Sequence, residues 1–130
     1  MVTKSIIVLH ILNERVLLVD TSGIIDLETL LHINETVLHT LDTVNAPLHI
    51  IYNDINVSGF GTNVSTLTRT NMYLKHPNMG LCVCLRSTRL VAFMRRLTCK
   101  LLTTSMPHTV DTLDEAVRLL QQYDHTMLST

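Results

Sequence analysis

Three groups of residues in this 130-residue chain have types and spacing that bear on chemistry. The first is the run Asn56-Val57-Ser58-Gly59-Phe60-Gly61-Thr62-Asn63. It reads as a glycine-containing loop that feeds a helix. Such a junction offers free N–H groups and the positive end of a helix dipole to an anion. Ser58, Gly59, Gly61, Thr62 and Asn63 are therefore a candidate phospho-acceptor or anion-binding set. Neither G-x-G-x-x-G nor a P-loop is present, so no nucleotide is specified. An ordinary capped strand-to-helix connection accounts for the same residues.

The second group is basic: Arg86, Arg89, Arg95, Arg96 and Lys100. These residues form a candidate partner-binding face suited to phosphates, anionic lipid or an acidic protein. Only Phe93 interleaves with them, which argues against the base stacking that single-stranded nucleic acid requires. A solvated helix face is the plainer account. The third group is the soft ligands. Cys82 and Cys84 share one side of a strand, and Cys99 lies on a helix. The C-x-C has no second pair, so buried packing is expected rather than a metal. The histidines are scattered, and no catalytic trio assembles from their positions. No cofactor and no enzyme activity are expected.

Charge is sorted along the chain. No acid lies between Asp54 and Asp111, a stretch that carries Arg69, Lys75, Arg86, Arg89, Arg95, Arg96 and Lys100. The flanking segments are acidic, and the formal net charge is only −1. A near-neutral chain with a basic middle can steer an anionic partner or pair with copies of itself.

The elements that must position these groups follow from apolar period and turn signals. Strands are expected over 5–12 and 15–20, joined at Asn13-Glu14 and ended by Thr21-Ser22-Gly23. A helix capped by Asp26 follows, with Leu27, Leu30, Leu31, Asn34, Val37, Leu38 and Leu41 on its inner face. Residues 48–52 form a buried strand, and a helix runs from Thr62 or Asn63 to Lys75. Residues 80–85 form the central strand. Ser87 or Thr88 caps the next helix, whose inward stripe is Leu90, Met94, Leu97 and Leu101. A strand over 107–110 leads to a helix opened by the capping box Thr112-Leu113-Asp114-Glu115.

The expected fold is thus α/β: a mostly parallel five-stranded sheet with an antiparallel N-terminal edge strand and four helices, in the order ββαβαβαβα. Residues 1–130 are read as one domain, with 124–130 a frayed tail. Hydrophobic residues make up 46% and mean hydropathy is +0.28, so an aliphatic core is affordable and disorder is not expected. No apolar run approaches the roughly 20 residues of a membrane span. Neither a secretory signal nor disulfide spacing is found, which points to a reduced, cytoplasmic setting.

Three segments carry a family likeness. They are the strand Arg15-Val16-Leu17-Leu18-Val19-Asp20 after a hairpin, the stretch His76-Pro77-Asn78-Met79-Gly80 leading to the strand 81–85 and the helix with Leu90-Val91-Ala92-Phe93-Met94, and the closing Val110-Asp111-Thr112-Leu113-Asp114-Glu115-Ala116. The chain resembles the STAS family, with its SpoIIAA-like fold, and within it the small bacterial STAS/Sec14-like proteins. The resemblance implies a regulatory, non-catalytic module that binds a protein partner or itself, with a homo-oligomer as one form. In the anti-sigma antagonists of this family, a serine in an Asp-Ser-Ser-Gly run is phosphorylated. That run is absent here, and Ser58 and Thr62 are the nearest hydroxyls. The alternative reading is a small-ligand or anion carrier that uses 56–63 and the following helix N-terminus.

Overall fold

The computed structural model describes residues 5–11, 15–44 and 47–124. Strand β1 (Ser5–Ile11) pairs antiparallel with β2 (Val16–Ile25). Strands β2, β3 (Leu48–Phe60), β4 (Met79–Leu85) and β5 (His108–Val110) then run parallel, in the spatial order β1-β2-β3-β4-β5. The Asn13-Glu14 turn and residues 125–130 of the expected tail lie outside the described residues.

Parallel neighbours need crossovers, and helices supply them. Helix α1 (Leu27–Thr43) joins β2 to β3, α2 (Val64–Thr70) and a short 3-10 turn (Met72–Lys75) join β3 to β4, and α3 (Arg89–Leu101) joins β4 to β5. Helix α4 (Leu113–Tyr123) closes the chain. Side chains alternate across each strand. Leu17, Val19, Ile50, Tyr52 and Cys84 meet α1 through Ile33, Val37 and Leu41 on one face. Val16, Leu18, Ile51, Val83 and Leu85 meet Ala116 and Leu120 of α4 on the other. A third cluster, Ile25, Leu30, Val57, Leu67 and Val91, fills the space beneath α2 and α3.

Several expectations are corrected. Strand β2 does not end at Asp20, and β3 does not end at Tyr52. The two strands extend together, with register shifts at Asp20/Ser22 and Gly23/Ile24. Thr21-Ser22-Gly23 is therefore a bulged stretch rather than a break, and Gly23 supplies the φ of 73° that the irregularity needs. Helix α2 stops at Thr70 instead of running to Lys75. Its threonines bond back to the helix, Thr68 Oγ1 to the Val64 carbonyl and Thr70 Oγ1 to that of Thr66, and Asn71 Nδ2 takes the Leu67 carbonyl. The chain then tightens into the 3-10 turn that buries Tyr73.

Two helices are rotated relative to their apolar stripes. In α1, Leu27 and Leu31 face outward, while Thr29, Ile33 and Thr40 are buried with Leu30, Val37 and Leu41. In α3 the buried face is Val91, Arg95, Thr98 and Cys99, followed by Leu102, instead of the Leu90 stripe.

Asp124, the last described residue, is tied down. Arg15 reaches its carboxylate at 2.7 Å, and His49 Nε2 does so at 2.9 Å. The Leu81 N–H donates to His49 Nδ1 at 2.8 Å, so the ring is the neutral Nε2–H form that donates to Asp124. Burial lowers the pKa of His49, against the raising effect of Asp124.

Candidate functional site

The segment 56–63 is largely strand. Ser58 and Gly59 belong to β3, and Ser58 is exposed at its edge. The Gly61 N–H donates to the Ile25 carbonyl at 2.8 Å, closing the β2–β3 extension. A side chain at Gly61 would press on Ile24. Thr62 Oγ1 is buried without a hydrogen-bond partner. Asn63 is the N-cap of α2 and accepts from the Thr66 N–H at 2.8 Å, so its side chain is already engaged. Helix α2 spans only seven residues. These residues lie at the end of the β2–β3 extension, and none of them lines the groove beside α3.

The basic group divides. Arg86, Arg89, Arg96 and Lys100 are exposed. Arg95 leaves that face and is only 8% exposed. Its Nε and Nη2 donate to the two carboxylate oxygens of Asp54 at 2.9 and 2.8 Å. Its guanidinium carbon lies 3.9 Å from the centre of the Tyr52 ring. Burial alone would weaken its hold on the proton, but Asp54 outweighs this and the pKa rises well above the ordinary arginine value.

The network continues inward. The Tyr52 and Tyr73 hydroxyls share a hydrogen bond, and Tyr73 donates to Asn71 Oδ1 at 2.9 Å. Burial raises the pKa of both tyrosines. Cys84 and Cys99 are buried nearby and Cys82 is partly so. The hydrogen bond with Cys84, then burial, raises the pKa of Cys82, and burial raises that of Cys99. Tyr52, Tyr73, Cys82 and Cys99 therefore stay protonated at neutral pH and present no activated nucleophile. Among the described residues no cluster of His, Cys, Asp and Glu is arranged to hold a metal.

With Arg95 inside, α3 presents a divided outer surface. At 100° per residue, Leu90, Leu97 and Leu101 fall on one flank, and Arg89, Arg96 and Lys100 on the next, with Phe93 between them. Leu90 is 61% exposed and Leu101 54%. Apolar periodicity placed the Leu90 stripe inward, and the charge of Arg95 hid the true inner face. Its signal was Val91, Arg95, Thr98 and Leu102, spaced four, three and four residues apart.

Solved structures that share this architecture include the following two. The anti-sigma factor antagonist SpoIIAA, in its unphosphorylated form, aligns over 90% of this chain and 98% of its own, with a TM-score of 0.62 and 14% identity. An uncharacterised protein of the DUF3478 family from Shewanella loihica PV-4, with a SpoIIAA-like fold, aligns over 92% of this chain and 95% of its own, with a TM-score of 0.65 and 11% identity. The chain has the SpoIIAA-like fold. No family model and no curated protein matches it in sequence. No helix among the described residues is long and apolar enough to cross a membrane.

Proposed function

We propose that this chain is a single-domain, non-catalytic regulatory module of the SpoIIAA-like kind, acting in the cytoplasm by binding a protein partner or another copy of itself. The observation that carries this reading is the outer surface of α3. Leu90 and Leu101 lie in water beside Arg89, Arg96 and Lys100. An apolar strip rimmed by one sign of charge has the composition of a docking surface: the strip supplies burial and the rim supplies orientation. The acidic segments before Asp54 and after Asp111 give a second copy the complementary charge. Ser58, exposed on β3, is the hydroxyl on which a phosphate switch would act, since that of Thr62 is buried.

Native mass spectrometry of the protein purified from its own source tests the reading. The expected result is a species containing this chain and a second polypeptide, identical or different. A single chain, bare or carrying only a small molecule, would contradict it.

A further inference from the structure

A groove of about 740 Å³ opens at the carboxyl ends of β4 and β5, beside the middle of β3 at Asp54 and the first turns of α3. Its size is that of a small-molecule site. Arg86, Arg89 and Arg96 line it, and the Asp54–Arg95 pair lies in its wall. Asp54 is neutralised by Arg95, and Asp111 is engaged by Arg86. Arg89 and Arg96 make no ion pair among the described residues. The groove therefore keeps two uncompensated guanidinium charges.

We propose that this groove binds a small phosphate monoester. A phosphate monoester carries close to two negative charges at neutral pH, matching Arg89 and Arg96. Guanidinium forks grip phosphate oxygens in pairs, which lysine cannot do. The hydroxyls of Ser87 and Thr109 are further lining groups able to donate to such oxygens. The remaining wall is apolar, with Leu85, Ala92, Phe93 and Pro107. A flat organic body has a surface to lie on there, so an aryl ester fits better than the bare ion. Arg89 and Arg96 also rim the outer strip of α3, but Leu90 and Leu101 do not line the groove, so ligand binding by the isolated chain is read apart from docking.

Isothermal titration of the full chain with phenyl phosphate, inorganic phosphate and phenol tests the site. Phenyl phosphate is expected to bind one to one, inorganic phosphate more weakly, and phenol not at all. The double variant Arg89→Gln/Arg96→Gln, at exposed positions that leave folding intact, is expected to lose at least about tenfold in affinity. Lys100→Gln, one turn beyond Arg96 but not a lining residue, should lose less than about threefold, since an exposed charge that makes no direct contact acts only through screened attraction. The proposal is overturned if phenyl phosphate shows no binding at millimolar concentration. An equal loss in Lys100→Gln would also overturn it, since that is diffuse attraction. A phosphotyrosyl peptide that binds much more tightly than phenyl phosphate would move the ester onto a protein partner and overturn the small-molecule assignment.

Discussion

Arg95 on α3 and Asp54 on β3 form a two-pronged ion pair in the interior, roofed over the ring of Tyr52. The pair sets the rotation of α3. A guanidinium on the inner face requires a buried carboxylate, and only one orientation of the helix brings Arg95 to Asp54. That orientation turns Leu90 and Leu101 into water. A helix that could have buried four apolar side chains instead leaves two of them more than half exposed. The exposed apolar strip is a consequence of the pair.

Removing one partner should be far worse than removing both. Asp54→Ala leaves the Arg95 charge buried and unmatched, and should cost about 3–5 kcal/mol. The double variant Asp54→Leu/Arg95→Met should recover most of that loss. Urea unfolding followed by circular dichroism measures both. If the single variant costs no more than a surface substitution, the pair does not anchor α3.

Stability should fall in mild acid because of His49. Its folded pKa lies below the ordinary value of 6.5, so the unfolded chain takes up the proton first. The contribution is complete above about pH 6.5 and is lost as pH drops toward the folded pKa. The thermal midpoint should decline from pH 7 to pH 5, and His49→Gln should flatten that slope while lowering stability at pH 7. An unchanged slope in the variant would assign the acid sensitivity elsewhere.

Two glycines should respond oppositely to alanine. A Cβ at Gly80 would fall on the ring of His49 and crowd the Leu48 carbonyl, so Gly80→Ala should cost about 1–3 kcal/mol. A Cβ at Gly59 would meet nothing within 4 Å, so Gly59→Ala should be neutral or gain up to about 1 kcal/mol. Chemical unfolding of the two variants side by side decides this, and equal losses would contradict the packing around His49.

Thr103, just beyond α3, holds φ at 57°. A β-branched residue is strained there. Thr103→Gly should raise stability by about 1 kcal/mol. Thermal unfolding reads the effect, and a loss would mean that the Thr103 hydroxyl contact with the Leu102 carbonyl outweighs the strain.

The alternation of strands and helices was readable from the sequence, because apolar period and caps are local signals. Asp26 accepts from the Thr29 N–H and Thr112 from that of Glu115, each cap at its expected place. What escaped depends on partners far apart in the chain. Asp54 and Arg95 are 41 positions apart, and nothing near either residue announces the other. The Leu90, Met94, Leu97, Leu101 stripe is as regular as a buried one, so periodicity alone chose the wrong face. His49 likewise reads as an isolated histidine until Leu81 and Asp124 close around it. Of the candidate sites, the basic residues were visible as a cluster. The groove was not, since it is made by strand ends that only the folded sheet brings together.

The outer strip of α3 is proposed to dock a protein. The most direct test captures partners from the native source with the tagged wild type and with Leu90→Glu/Leu101→Glu, after unfolding curves confirm that both are folded. One polypeptide, another or a second copy, is expected to bind the wild type near one to one and to be lost from the variant. Equal retention by both, or a wild type that stays a lone monomer, would contradict it.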